Sequence, residues 1–230
     1  MESLQKQIFR HMHGIQTMQE IAEKSALMDL ISDLHSFQKL RFLDTQQALY
    51  RNKNTNKTVM FWANQLYSLL SFTSSKLDPI EVMQKSLRFI PYEGQQVLVS
   101  LLHLKAICFE LDFDLAQRLK HSELDAPSYQ QAYATTNNYA LRQKQIAAIN
   151  ALHQDMHYLT RIRGINFLLF LFKKPAVKLG MGELLRTIKI GYDAYLQLDN
   201  PDEFSQSLIF NETQVVHRYF QTSIPETPKV

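Results

Sequence analysis

The sequence predicts an all-α fold: one irregular bundle of about eight helices in a single domain. Glycine and proline together contribute only 13 of the 230 residues, and because both interrupt helices, their scarcity allows long elements. Apolar residues also recur at steps of three and four along most of the chain, which is the spacing of one helix face. A chain of this length can bury a core without disulfides or metals.

The first half of the chain has the most regular spacing. Residues 1–52 predict one or two helices, with Gly14 as the expected break. A further helix is predicted over Lys57–Phe72, and Asp78-Pro79 marks the start of the next one, as an N-cap followed by proline. The strongest periodicity lies in Glu93–Lys120, where it predicts a buried stripe: Val97, Leu101, Leu104, Cys108, Leu111, Leu115 and Leu119.

The second half contains shorter segments separated by turn residues. Four helical segments are predicted there: Tyr129–Tyr133, Ala140–Arg161, Gly182–Leu198 and Asn200–Phe220. The apolar run Ile165–Phe172 lies between the second and the third. We expect one domain over residues 1–221, with 1–39 as an N-terminal helical extension. The tail, residues 222–230, contains two prolines and is predicted to be disordered.

Several classes of protein are disfavoured by what the sequence lacks. Cys108 is the only cysteine, which excludes an internal disulfide and a cysteine-based zinc site. The N-terminus does not resemble a secretory leader, and no apolar run approaches the roughly 20 residues of a membrane-spanning helix. We therefore expect a soluble, cytoplasmic protein. No phosphate-binding loop, dinucleotide-binding glycine motif or Gly-x-Ser-x-Gly elbow occurs, so the sequence indicates no catalytic residues and no cofactor.

His153 and His157 have the one histidine spacing that suits a shared metal ion. Residues four apart lie on one helix face, where two imidazoles can reach the same ion. The sequence shows no third ligand beside them and no His-Glu-x-x-His pattern. We therefore expect two histidines near Asp155 and no metal. His11 and His13 are two apart and face different sides of a helix.

Three acids, Glu110, Asp112 and Asp114, cluster on the most regular helix. A di-iron carboxylate site would need Glu-x-x-His pairs from two helices, and the chain has none. We expect instead that Glu110 or Asp112 pairs with a cation such as Arg142 and thereby orients two helices. Cys108 lies on the apolar stripe and is expected to be a small core residue rather than a nucleophile.

Charge is segregated around the apolar run. Segment 161–189 has seven cations and one acid, a net charge of +6 in 29 residues, although the whole chain carries only +3. No specific nucleic-acid signature accompanies it. A basic and strongly apolar segment is what an anionic membrane surface or an acidic partner selects. The candidate binding residues are Arg161, Arg163, Lys173, Lys174, Lys178 and Arg186.

The preferred interpretation of this segment is nevertheless structural. It makes the apolar run the central core helix and the cations its solvated ends. The residues from Ile190 onward, with six acids and two bases, would then neutralise those cations. Insertion into a membrane would need Phe167, Leu168 or Phe170 on the outside of the fold.

An ordered series of motifs resembles a known family. Phe61-Trp62-Ala63-Asn64-Gln65-Leu66-Tyr67 is followed by Leu101-Leu102-His103-Leu104, Phe109-Glu110-Leu111-Asp112, Tyr129-Gln130-Gln131-Ala132-Tyr133, Gly180-Met181-Gly182, Gly191-Tyr192 and Glu212. The series resembles the bacterial FFLEE-motif proteins, a family without an assigned function, over about Leu40–Glu212. Where the family string has two glutamates, this chain has Asn64 and Gln65. The resemblance implies a helical fold and a bacterial source, and it implies no reaction.

Three functional interpretations remain open. The first is a non-catalytic interaction protein that binds a protein partner or associates with itself. The second is a peripheral binder of an anionic membrane surface or another polyanion through segment 161–189. The third, an enzyme of unfamiliar type, ranks last because no constellation of titratable residues is visible.

Overall fold

The computed structural model confirms the all-α prediction. It describes residues 2–70, 79–88, 90–178 and 182–221, without the side chains of 79–82, 172, 175 and 178. Helices take up 83% of the described residues, and no strand occurs among them. The described residues form a single helical domain of eleven helices rather than about eight, because short turns divide segments that the apolar spacing treats as continuous.

The first five helices differ from the prediction in where the chain turns. Their bounds are α1 Leu4–Lys24, α2 Met28–Thr45, α3 Gln47–Arg51, α4 Asn56–Leu66 and α5 Pro79–Leu87. The expected break at Gly14 is wrong, because α1 continues through it and the chain turns at residues 25–27, where Ala26 has a φ of 55°. One glycine costs a helix only about 1 kcal/mol, and the burial of Met12 and Ile15 offsets that cost. The predicted N-cap at Asp78 lies outside the described residues.

The remaining six helices include the longest ones. Their bounds are α6 Tyr92–Leu119, α7 Ala126–Thr135, α8 Tyr139–Arg161, α9 Ile165–Lys178, α10 Gly182–Tyr195 and α11 Pro201–Gln221. Local capping sets the start of α7, where Asp125 Oδ1 accepts a hydrogen bond from the backbone N–H of Ser128 at 2.8 Å. The predicted disordered tail, 222–230, and residues 180–181 of the glycine motif lie outside the described residues.

The central helix of the bundle is α6. It packs against α1, α2, α7 and α8, and side chains on nearly all its sides are buried. A helix that is apolar on most of its surface needs neighbours on most sides. Leu101, Leu104, Cys108 and Leu111 lie in one core cluster, which confirms the prediction that this stripe is buried together.

The C-terminal helices pack onto α8 and close the core. Gly191 lets α10 approach closely, because a Cβ there would lie 2.6 Å from Met156 Cε on α8 and 2.7 Å from Phe61 Cε2 on α4. The neighbouring α11 packs against α8 and α7. This arrangement puts the first turn of α11 beside the C-terminal half of α8, where His153 and His157 lie.

Candidate functional site

The helix α9 departs most from the sequence prediction. Its inner side packs mainly on α10, with Ile165 buried and Leu168 and Leu169 half-buried. Phe167 and Phe170, by contrast, are exposed to 63% and 71%. The interpretation of this run as the central core helix is therefore wrong. The centre of the bundle is occupied by α6, and α9 covers the periphery with one side only.

The solvent side of α9 forms a continuous apolar surface that contains one lysine. We call it the α9 outer face and define it by Phe167, Phe170, Leu171, Lys174 and Val177, all of which are exposed. Successive helical residues are rotated by about 100°, which puts these five on the side opposite Ile165. Single exposed apolar residues are common, but a contiguous patch marks an interaction surface. Within the described residues, no helix is both long enough and apolar enough to cross a membrane.

A groove of about 1010 Å³ runs between α9 and α10 next to this face. Its walls include the apolar side chains of Phe170, Val177 and Ile190 and the cationic side chains of Lys173 and Arg186. The α9 outer face thus continues into a concavity that is mainly apolar and cationic and contains one acid, Glu183.

The predicted binding cations divide into two groups. Arg163, Lys173 and Lys174 are exposed and form no ion pair with any described residue. Arg161 and Arg186 are exposed as well, but Arg161 Nη2 lies 3.1 Å from His157 Nε2 and Arg186 Nη2 lies 3.4 Å from a carboxylate oxygen of its own helix. The side chain of Lys178 lies outside the described part.

In the part of the chain that the structure describes, the acidic C-terminal segment neutralises few of the cations of segment 161–189. Lys189 Nζ lies 2.5 Å from Asp193 Oδ2, one helical turn further on. No other acid beyond residue 190 pairs with a described lysine or arginine of segment 161–189. The expectation of general internal neutralisation is therefore wrong for the described residues, because the acids of α11 lie along α8 and α2.

One of those acids approaches the two histidines of α8. Asp202 Oδ1, in the first turn of α11, is 3.9 Å from His153 Nε2 and 3.8 Å from His157 Nδ1. The three atoms lie within 4.8 Å of one another. Burial lowers the pKa of His153 to about 4 and also lowers the pKa of His157, so both rings are neutral at pH 7. The sequence alone missed Asp202, a third group that could ligate a metal, because it comes from another helix.

Asp112 is buried, but its partners are not the predicted one. Its Oδ1 accepts a hydrogen bond from Gln38 Nε2 at 2.7 Å, and its Oδ2 lies 2.9 Å from His35 Nε2. Pairing with Arg142 is wrong: that guanidinium lies over an aromatic ring of α7, 4.1 Å from its centroid. Glu110 is exposed. The structural role expected for the cluster thus falls to Asp112, which joins α2 to α6.

Cys108 has the environment of a core residue. It is buried, and burial raises the pKa of its thiol to about 12. Gln145 Nε2 donates a hydrogen bond to Sγ at 3.2 Å. A thiol that stays protonated at neutral pH is a poor nucleophile, in agreement with the prediction.

Sequence reasoning missed a buried ion pair between α2 and α11. Arg41 Nη1 donates to both carboxylate oxygens of Glu212, at 2.9 and 2.8 Å, and Arg41 Nη2 donates to Tyr67 Oη at 2.6 Å. Gln46 Nε2 adds a hydrogen bond to Glu212 Oε1 at 3.2 Å. No local spacing signals a pair between residues so far apart. Glu212 does, however, belong to the motif series quoted above.

Comparison with known proteins identifies the family but no activity. Neither the comparison with curated proteins nor the one with solved structures gives a match. Residues 17–225 match a family described as a domain of unknown function (DUF8198). The match is wider at both ends than the span of the quoted motifs and covers most of the chain. The chain therefore belongs to the DUF8198 family.

Proposed function

We propose that this protein is a non-catalytic, peripheral binder of anionic membrane surfaces that attaches through the α9 outer face. The observation that carries the proposal is the exposure of Phe167 and Phe170, at 63% and 71%. All charged residues of α9 are lysines. A helix that turns apolar side chains and lysines toward solvent has the composition of a helix that lies in a membrane interface.

The charge of this region favours an anionic partner over a second copy of the chain. In a symmetric dimer through the α9 outer face, the same patch would lie on both subunits. The exposed Lys173 and Lys174 of one subunit would then approach those of the other, and like charges in an interface are costly. A negatively charged surface is the complementary partner.

The scarcity of hydrogen-bonding groups favours lipid over an acidic protein. Protein interfaces contain about one hydrogen bond per 100–200 Å². Among the described side chains of α9, the exposed polar groups are Asn166 and the two lysines, and the other exposed side chains are apolar. Such a surface suits the boundary between headgroups and acyl chains, where cations meet phosphates and phenylalanines meet hydrocarbon.

Charge and apolar burial contribute separately to the expected affinity. Each cation near an anionic membrane surface contributes about 1 kcal/mol. A fully buried phenylalanine contributes about 1.5–3 kcal/mol, and a partly inserted one contributes less. Three exposed cations and two exposed phenylalanines are therefore enough for measurable adsorption.

The test is sedimentation with vesicles of phosphatidylglycerol and phosphatidylcholine, compared with vesicles of phosphatidylcholine alone. We expect binding to the anionic vesicles only, and we expect it to weaken from 0.1 to 1 M salt as the Debye length falls from about 10 to about 3 Å. Lys173→Glu/Lys174→Glu removes about 2 kcal/mol of attraction and should weaken binding by about 30-fold or more. Phe167→Ala/Phe170→Ala should weaken it as well, with an unchanged melting temperature.

The matched control is Lys120→Glu/Lys144→Glu. Both lysines are exposed, and the change in net charge is the same. Lys144 lies about 25 Å along α8 from Arg161, at the basic C-terminal end of that helix. This variant should keep most of the binding. Absence of binding to anionic vesicles, or an equal loss in both double lysine variants, would refute the membrane proposal. Specific capture of an acidic protein by the wild type but not by Lys173→Glu/Lys174→Glu would replace it.

We further infer a bacterial source from the resemblance to the FFLEE-motif proteins, and we propose the cytoplasmic location that the sequence predicts. The motif series lies entirely within the residues that match the family, which supports the inference of a bacterial source. Detection of the protein in bacterial cells, by an antibody against the purified chain after fractionation into soluble and membrane-bound material, tests both proposals.

A further inference from the structure

We propose that His153, His157 and Asp202 bind a divalent transition-metal ion of the Zn²⁺ type. Two imidazole nitrogens on α8 and one carboxylate oxygen on α11 converge, with Asp202 Oδ1 at 3.9 Å from His153 Nε2 and 3.8 Å from His157 Nδ1. These separations exceed a hydrogen bond, so the three atoms share no proton. They are, however, close enough that small side-chain rotations would let one cation contact all three.

The strongest independent observation is the state of His153 Nε2. The side chain of His153 is only 1% exposed, and its Nε2 is a buried polar atom without a hydrogen-bond partner. Buried polar atoms in folded proteins almost always have a partner, and the exceptions call for an explanation. A metal ion between His153 and Asp202 supplies that partner.

Tyr195 holds the His153 ring in the orientation that a metal needs. Its hydroxyl lies 3.0 Å from His153 Nδ1, on the side of the ring away from Asp202. Histidine ligands commonly donate their second N–H to such a group, which fixes the tautomer with a lone pair on the other nitrogen. With His153 Nδ1 as the donor to Tyr195 Oη, Nε2 is left as the ligand atom.

The ligand set indicates the class of ion. Two nitrogens and one carboxylate suit Zn²⁺ and its transition-metal neighbours, whereas Mg²⁺ and Ca²⁺ prefer oxygen ligands throughout. Ligands about 2.1 Å from a tetrahedral ion lie about 3.4 Å from one another. The side chain of Asp202 is 66% exposed, so it can rotate toward the two histidines to close the remaining gap. Three protein ligands leave a fourth position for water.

Arg161 competes with the ion for His157. Its Nη2 lies 3.1 Å from His157 Nε2, and because a guanidinium only donates, Nε2 accepts and the proton lies on Nδ1. Metal binding at Nδ1 moves that proton to Nε2 and displaces Arg161. Since Arg161 is exposed, the displacement costs little, and it frees one more cation at the start of segment 161–189.

The test is calorimetric titration of the full chain with Zn²⁺, together with the absorption spectrum of its Co²⁺ complex. We expect one ion per chain and the visible bands of tetrahedral Co²⁺. Asp202→Ala and His157→Gln should each weaken binding at least tenfold, and Tyr195→Phe should weaken it by about tenfold. Arg161→Ala should tighten it by about fivefold, because a competing donor and a nearby positive charge are removed.

Two controls separate this site from adventitious binding. Glu203→Ala removes an exposed acid from the same turn of α11, and His121→Gln removes an exposed histidine elsewhere; neither should change the affinity for Zn²⁺. The exposed Asp202 provides a variant that does not disturb the core, so the test does not depend on substituting the buried His153. Equal affinities in the wild type, Asp202→Ala and His157→Gln would overturn the proposal, as would weaker binding by Arg161→Ala.

Discussion

Two regions of the molecule differ in whether their side chains have partners inside the chain. The first lies where α2 meets α6, α7, α11 and the end of α4, and we call it the buried polar network. Its members are His35, Gln38, Arg41, Gln46, Tyr67, Asp112, Tyr129 and Glu212, and each makes a hydrogen bond to another member. The second is the α9 outer face, where apolar side chains meet water and Lys174 has no ion-pair partner among the described residues.

The difference between these regions shows where function is to be sought in this fold. The network contains the residue types that usually suggest chemistry, yet its charged groups are already paired or hydrogen-bonded in contacts that join helices. The α9 outer face contains one titratable residue, Lys174, yet it leaves apolar area exposed that another surface can cover. Unsatisfied physical requirements, rather than residue types, mark the candidate sites here, and the unpartnered His153 Nε2 belongs to the same category.

The largest expected effect comes from breaking the Arg41–Glu212 pair. Their side chains are only 15% and 8% exposed, so Arg41→Met leaves a buried carboxylate without its cation. We expect the free energy of unfolding to fall by about 3–5 kcal/mol, as measured by urea denaturation. Arg41→Met/Glu212→Leu should recover most of that loss.

The matched control for this prediction is Arg10→Met. Arg10 pairs with Glu2, but their side chains are 59% and 36% exposed, so the loss should stay below about 1 kcal/mol. A similar loss for both arginine substitutions would show that the network does not stabilise the fold more than a surface pair.

The next comparison sets the core against the α9 outer face. Leu104 is fully buried on α6, and Leu104→Ala should cost about 2–5 kcal/mol through lost burial and the cavity that remains. Phe170 is 71% exposed, and Phe170→Ala should change stability by less than about 0.5 kcal/mol. Thermal and urea unfolding of both variants measures the contrast. A loss of more than 1 kcal/mol for Phe170→Ala would mean that α9 is packed and not available to a partner.

Much of the fold could be predicted from the sequence because the relevant signals are local. Helical spacing and the start of the last helix at Asn200-Pro201 depend on neighbours within one or two turns, and both are correct. The stripe of Leu101, Leu104 and Cys108 is correct for the same reason, since α6 is apolar on most of its surface. The turn at residues 25–27 was missed because it has no glycine or proline signal.

The sites depend on tertiary contacts and were predicted only in part. Strong apolarity shows that a helix face will be covered, but not whether this chain or a partner covers it, so α9 was assigned to the core. His153 and His157 were recognisable from their spacing, whereas Asp202 lies on α11, three helices further along the chain, which packs against α8. The ion pair of Arg41 with Glu212 likewise joins opposite ends of the sequence. Only the packing order of the helices brings such residues together.

The smallest expected effect concerns Lys105, which borders the buried polar network and forms no ion pair with any described residue. Its Nζ donates to the carbonyl oxygen and the hydroxyl of Ser68, at 2.9 and 3.0 Å. Burial lowers its pKa from 10.5 to about 8, although the negative charge of Asp112 and the nearby Cys108 act in the opposite direction. At pH 7 Lys105 therefore remains protonated and buried, with hydrogen bonds mainly to neutral groups. Arg41, by contrast, is paired with a carboxylate.

The pH dependence of stability distinguishes a buried lysine without an acidic partner in the described part of the chain, such as Lys105, from a buried cation that is paired, such as Arg41. Between pH 8 and 10.5 the folded chain holds fewer protons on Lys105 than the unfolded chain does, so stability rises with pH in this window. The rise from pH 8 to 9 should be about 1 kcal/mol for a folded pKa near 8.

Cys108, whose pKa is raised to about 12, acts with the opposite sign because its unfolded thiol ionises first. Cys108→Ala and Cys108→Ala/Lys105→Met should therefore be compared by urea denaturation at both pH values. The gain in stability from pH 8 to 9 should appear in Cys108→Ala and disappear in Cys108→Ala/Lys105→Met. An equal gain in both variants would show that Lys105 is not a buried charge.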